Sequence, residues 1–419
     1  MICYKQILLT ILTTNLLFAQ PKQNWVDSTY QSLTLEQKIG QLFMPMVFSQ
    51  GDQNHYQKAI SAIEKYHLGG IIFSKGTIAE QVRLTNEFQN KSSVPLLIAM
   101  DAEWGMAMRI SDVSPFPFQM TLGAIQNDSL LYQLGQSMAN RQSRVGVHLN
   151  FAPVVDVNTN SKNPVIGLRS FGSDPKLVAQ KAGMLLRGMQ DGGLMTSIKH
   201  FPGHGNTSTD SHHTLPLVNH DINHLNRVEL YPYKTLIDEG VFSVMVGHLE
   251  VPALEQTKGL PSSLSPSIIH DLLVKEFGFD GLVVTDALNM KGVSDYSGNQ
   301  SSSLGSFLAG ADLLLIPDDL PIAFEDIRNA IVSGAITEER LAHSVKKILN
   351  AKFDAKLHES KLVLGDSLHQ DIESSDATKL NHQLAEASLT VIQNKNQILP
   401  IQQLENTNTA YVKIGDATG

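Results

Sequence analysis

The chain of 419 residues has one cysteine, two tryptophans and no cluster of basic residues. Each scarcity removes a class of function. Cys3 stands ahead of an apolar stretch and not after it, so it does not suit lipid attachment. A lone thiol at that place excludes a disulfide framework, a cysteine nucleophile and a thiolate metal site. Charged residues make up only 17% of the chain and the formal net charge is -9, with hydrophobic residues at 42%. That is a globular composition, neither disordered nor fibrous. Without basic patches, nucleic acid is not an expected partner, and the acidic balance speaks against an anionic membrane surface. Residues 7–18 are mostly apolar but broken by Thr10, Thr13, Thr14 and Asn15, too short a run to span a membrane. With Lys5 before it and Ala19 after it, residues 1–19 read as a cleaved export signal. Its removal takes away Lys5 and moves the charge from -9 to -10. The expected location is periplasmic or secreted.

What is present is an alternation. Eight short apolar runs, at 42–48, 70–73, 95–100, 149–155, 195–199, 242–247, 281–285 and 312–316, are rich in Val, Ile, Leu and Met. Such runs suit parallel strands buried on both faces. Amphipathic helical patterns fill the gaps, at 57–66, 78–89, 130–144, 175–190, 223–239, 266–276 and 322–333. Ser173-Asp174-Pro175 and Ser265-Pro266 place a cap before a proline, as helix starts do. The expected fold is α/β, a (β/α)8 TIM-type barrel over residues 27–352, with a doubly wound open sheet as the alternative. Beyond it, residues 353–375 read as a linker. Residues 376–419, with a helix running into a strand at 380–391 and another strand at 410–414, read as the truncated beginning of a C-terminal α/β domain. A short extension packed on the barrel is the other reading.

In such a barrel the chemistry sits at the C-terminal ends of strands. Asp101 ends the third run, followed by Glu103-Trp104-Gly105 and Arg109; it can accept sugar hydroxyls or pair with Arg109. After the fourth run come Asp156, expected to be structural, and Arg169 in a Gly/Pro-rich loop. Gly247-His248, after the sixth, is expected to line the pocket. After the seventh, Asp286 directly follows a buried apolar run, which is costly unless the carboxylate is paired or functional. At a barrel mouth it suits a nucleophile.

The densest segment follows the fifth run: Lys199-His200-Phe201-Pro202-Gly203-His204-Gly205, then Asp210-Ser211-His212-His213. Its histidines admit a metal reading, but Pro202 and Gly203 break the 200/204 spacing. The acid/base reading uses Asp210 and His212, which an extended segment places on the same side. The carboxylate then fixes the tautomer of a group that titrates near neutral pH.

Together these segments resemble the β-N-acetylglucosaminidases of glycoside hydrolase family 3, the NagZ-like branch, over residues 30–350. The most specific part is Lys199 to Gly205 with the Asp210-Ser211-His212 loop, which the glucosidase and xylosidase branches lack. The resemblance implies His212 as acid/base with Asp210 as its partner, and Asp286 as nucleophile. It implies Asp101, Arg109, Arg169, Lys199 and His200 as contacts to a terminal GlcNAc. It further implies retention of configuration, no metal and no cofactor, and a GlcNAc-terminated oligosaccharide or muropeptide as substrate. A β-glucosidase or β-xylosidase, or an inactive sugar-binding barrel, are the alternatives. The usual Glu-Gly-Gly is here Glu103-Trp104-Gly105, and Met106 replaces an arginine, so aglycone contacts are expected to differ.

Overall fold

The computed structural model describes residues 21–209, 214–294, 296, 301–359, 362–398 and 400–401. Nine strand segments appear among the described residues: β1 (Phe43–Met44), β2 (Met46–Phe48), β3 (Gly70–Ser74), β4 (Leu97–Met100), β5 (Leu149–Asn150), β6 (Met195–Phe201), β7 (Ser243–Val246), β8 (Leu282–Thr285) and β9 (Leu314–Leu315). β2 to β8 form a curled seven-stranded sheet in sequence order, every pairing parallel. β1 pairs with β9, Phe43 opposite Leu314. β9 adjoins β8 through a parallel bridge between Val284 and Leu313. β1 and β2 are halves of one strand split at Pro45, which has no N–H to donate but whose carbonyl accepts from Ile72 N at 3.1 Å. The ring therefore closes with eight strand positions, one for each apolar run. Sequential order with closure is that of a barrel, not of a doubly wound sheet.

The strands are buried end to end, as in β4 and in all seven residues of β6. Helices cover them outside. Pro175–Asp191 shows how such a helix is built. Asp174 accepts from Leu177 N at 2.8 Å, proline takes the first position, and Val178, Ala182, Leu185 and Met189 bury one stripe. This helix meets Ser129–Ser143 at glycines. A Cβ on Gly188 would fall 2.1 Å from Tyr132 O, and one on Gly135 would fall 2.4 Å from Leu185 O. The pair lets two helix backbones approach as closely as they do.

The segment expected as a linker lies on the barrel wall. The helix Glu338–Asp354 runs through residue 353, and Leu357 and Ile372 are buried. Arg144 Nε donates to Asp371 at 2.7 Å, Asn86 exchanges two 2.8 Å hydrogen bonds with the Val363 backbone, and Arg141 pairs with Glu373. The helix Ser375–Ala387 follows, burying Leu384. The strand expected at its end is not formed: Leu389, Val391 and Ile392 are exposed, with no ladder partner among the described residues. The strand expected at 410–414 lies outside the described residues. No described helix is long and apolar enough to cross a membrane.

Candidate active site

A cavity of about 550 Å3 opens at the C-terminal ends of the strands. Six of the expected site residues line it: Asp101, Arg109, Arg169, Lys199, His200 and Asp286. Asp101 follows β4, Lys199 and His200 belong to β6, and Asp286 follows β8, so strand ends bring together residues 185 positions apart in the chain (286 − 101). Asp210 and His212 lie outside the described residues. On the chain leading to them, the Thr207 hydroxyl meets His204 Nδ1 at 2.6 Å.

Lys199 is the hub. Its buried ammonium donates to Asp101 Oδ1 at 2.8 Å and lies 2.8 Å from Glu103 Oε1. Arg109 Nη2 donates to Asp101 Oδ2 at 3.0 Å. Asp101 is therefore ion-paired with Arg109, and each of its oxygens still has a lone pair for a hydroxyl. The ion-pair reading of Asp101 holds, and it leaves those lone pairs open to the cavity. Burial alone would raise the Asp101 carboxyl, but Lys199 and then Arg109 outweigh it and hold it below its ordinary value. Burial would lower the Lys199 ammonium, yet Asp101 and Glu103 hold it above its ordinary value.

Glu103 was not foreseen as a site residue, although Asp101 and Glu103 are two apart on one extended segment, a signal for a shared side. Arg169 clamps it with two hydrogen bonds of 2.8 Å, Nε to Oε2 and Nη2 to Oε1. The planar fork matches a carboxylate in this way. Against burial, Arg169 and Lys199 hold the Glu103 carboxyl far below the usual range. Most of the Arg169 fork is thus committed to protein: Nη1 reaches Val165 O at 3.3 Å and Nη2 lies 3.2 Å from His200 Nε2. Trp104, which follows, packs edge-on against Phe118 with centroids 4.7 Å apart and is not among the residues lining the cavity. The expected change in aglycone contacts therefore finds no support at Trp104.

Asp156 is structural, as expected. Its buried carboxylate accepts from His200 Nδ1 at 2.7 Å, from His200 N at 3.3 Å and from His204 N at 2.6 Å. A carboxylate only accepts, so the His200 proton sits on Nδ1 and Nε2 points toward Arg169. Gly205 is required here: a Cβ on it would fall 1.9 Å from Val157 O. His204, considered in the sequence only as a metal ligand, also lines the cavity. Burial pushes its imidazole down to about 4, and its Nε2 has no hydrogen-bond partner among the described residues.

Asp286 differs from the other carboxylates. Its Oδ1 accepts from Ala287 N at 2.8 Å, and no lysine or arginine lies within ion-pair distance among the described residues. Burial would raise its carboxyl, but the imidazoles of His200 and His248, the Ala287 N–H and Lys199 together hold it below its ordinary value. It is ionised, fixed and open to the cavity. His248 is not among the lining residues, contrary to expectation. It is buried because its Nε2 donates to Ala287 O at 3.0 Å while Nδ1 meets Ser263 Oγ at 2.7 Å. It braces the peptide next to Asp286.

A closed parallel barrel with an ionised aspartate after β8, beside a Lys/Asp pair that can hold hydroxyls, has the architecture of a glycoside-processing enzyme. The chain belongs to glycosyl hydrolase family 3: the pattern of that family's N-terminal domain matches residues 34–351. Beta-hexosaminidase A of Pseudoalteromonas piscicida is 32% identical over 386 residues, 84% of this chain and 64% of the relative. The chain thus spans just under two thirds of that relative's length. Among solved structures, a glycoside hydrolase family 3 beta-N-acetylglucosaminidase from Paenibacillus sp. str. FPU-7 superposes with TM-score 0.79 at 37% identity, over 87% of this chain and 70% of that one. The beta-glucoside phosphorylase BglX bound to 2FGlc superposes with TM-score 0.84 at 26% identity, over 91% and 70%.

Proposed function

We propose that the protein is an exported, retaining exo-β-N-acetylglucosaminidase that removes terminal GlcNAc from peptidoglycan fragments or chitooligosaccharides. The observation that carries this is the Asp286 carboxylate, ionised in the cavity wall and, among the described residues, free of any lysine or arginine ion pair, in the same cavity as Asp101, the hydroxyl acceptor that Lys199 holds. In this reading Asp101, Arg109, Lys199 and His200 hold the sugar, with Arg169 setting the positions of Glu103 and His200. Asp286 attacks the anomeric carbon. His212, partnered by Asp210, protonates the leaving oxygen, and a glycosyl ester forms on Asp286. Water deprotonated by His212 then attacks the same carbon and releases GlcNAc with net retention. His212 enters as imidazolium, becomes neutral when it gives its proton to the leaving oxygen, and regains a proton from the water; unlike a second carboxylate, it is never an anion beside the Asp286 nucleophile. The relatives named beta-hexosaminidase and beta-N-acetylglucosaminidase support the sugar.

The likeness to BglX favours one second reading, a β-glucoside-active enzyme using phosphate as acceptor. Nitrophenol release from β-GlcNAc and β-glucose nitrophenyl glycosides, with and without phosphate, separates the two. Turnover of the GlcNAc compound, independent of phosphate, is expected. Preference for glucose, or a sugar phosphate as product, overturns the assignment. Asp286→Ala is expected to lose about four orders of magnitude in kcat, and near-normal activity removes the nucleophile role. His212→Ala is expected to cost about 10²–10⁴-fold on natural glycosides and much less on activated ones; equal losses count against the acid role. Export is checked by sequencing the N-terminus of protein recovered outside the cytoplasm, where cleavage after Ala19 is expected.

A further inference from the structure

The segment that carries Asp210 and His212 begins at Gly203 and returns to the barrel beside Glu250, which Leu217 joins by a parallel bridge. At its foot stand three side chains with no part in the cavity: His220, His224 and Glu229. Their donor atoms all lie within 4.8 Å of one another. His220 and His224 stack with centroids 3.9 Å apart, and His224 Nε2 lies 3.5 Å from Glu229 Oε1. Glu229 is buried, at 1% exposure, yet among the described residues neither of its carboxylate oxygens has a hydrogen-bond partner, and the same holds for Nε2 of both histidines. Four unpartnered polar atoms at one place, one pair of them a buried carboxylate, are costly unless something joins them. Among the described residues no lysine or arginine pairs with Glu229; its ion-pair contact is His224.

We propose that His220, His224 and Glu229 form a site for a zinc-class divalent metal ion that ties both ends of this segment to the barrel wall. Two imidazoles and one carboxylate are a common zinc donor set. Donors at about 2.0–2.1 Å from a tetrahedral centre stand about 3.4 Å apart, so the His224–Glu229 pair is already spaced for it and small side-chain rotations bring in His220. The donor atoms themselves are buried, so the ion would sit beneath the surface, with the 32% exposed His224 side chain at its edge. Hard cations such as Mg2+ and Ca2+ prefer oxygen donors and are disfavoured by the two imidazoles. The placement ties the ion to the segment at both ends. His220 closes its C-terminal end, and Glu229 packs under its start, where a Cβ on Gly203 would fall 2.7 Å from Glu229 Cβ. The ion's role here is structural, since none of the three residues lines the cavity.

The test is calorimetric titration of ZnSO4 into tag-free protein dialysed against EDTA and then freed of it, with thermal melting alongside. One equivalent is expected to bind, with Tm raised about 3 °C at a hundred times the Kd. Cobalt(II) is expected to give the strong visible absorption of a four-coordinate site. His224→Ala, at a half-exposed position remote from the cavity, and Glu229→Gln, which keeps the shape, should each weaken binding about 100-fold or more. Absence of zinc binding by the parent protein, or parental affinity in both variants, overturns the site. Neither readout uses turnover, so the result is independent of which glycoside the enzyme accepts.

Discussion

Lys199 and Lys352 are both buried in the same barrel, at 2% and 0% exposure, and their ammonium groups are displaced in opposite directions. Lys199, at the mouth, has Asp101 and Glu103 at 2.8 Å each and is held above its ordinary value. Lys352, on the helix Glu338–Asp354, reaches among the described residues the neutral side-chain oxygen of Gln41 and no carboxylate, and burial drops it to about 7. Burial is common to both; the partners decide the charge. Asp101 and Glu103 keep Lys199 charged, whereas Lys352, lowered to about 7, holds its proton only loosely near neutral pH.

Breaking the paired side should have the largest effect. Lys199→Met leaves Asp101 and Glu103 short of their shared cation. Removing one partner of a buried ion pair costs about 3–5 kcal/mol, so a fall of about 10³-fold in kcat/KM, with a lowered Tm, is expected. Unchanged kinetics would show that the pairs serve folding alone. Glu103→Gln should act more gently, because Asp101 still holds Lys199 while Arg169 loses its clamp. A loss of about 10–100-fold, mainly in kcat/KM, is expected in steady-state assays.

The unpaired side should respond the other way. Lys352→Met removes a group whose protonation opposes folding and is expected to raise Tm by about 5 °C near pH 6. The folded pKa of about 7 lies below the unfolded value of 10.5, so between them the unfolded chain binds more protons. Stability of the parent therefore rises with pH across that window, and the advantage of the variant shrinks over the same range. Denaturant melts from pH 6 to 10 check this; an advantage independent of pH would place the effect in packing. A smaller effect of the same sign is expected from His148, buried and lowered to about 4, as pH rises from 4 to 6.5.

Much of the site was legible because barrel strands end where chemistry begins. Asp101, Lys199 and Asp286 each stand within or directly after an apolar run, so period and position pointed to them. Glu103 was passed over because Arg169, its clamp, is 66 residues away and no local spacing links them. His248 was placed in the pocket since it follows a strand, but its ring turns to Ala287 O and Ser263. The His220–His224–Glu229 group escaped notice because the attention of a sequence reader goes to the denser histidines at 200–213. Residues 353–375 read as linker since they are polar; their polar side chains are what fasten them, through Arg144 and Arg141 to Asp371 and Glu373.

The sequence by itself determined the eight-fold alternation and the candidate residues at strand ends, because period and turn chemistry are local properties of the chain. Only the tertiary structure decided closure of the ring through β1 and β9, the shared cation between Asp101 and Glu103, and which buried lysine stays charged. Those outcomes depend on groups brought together from distant positions, and a buried charge is kept or lost according to the partner it meets.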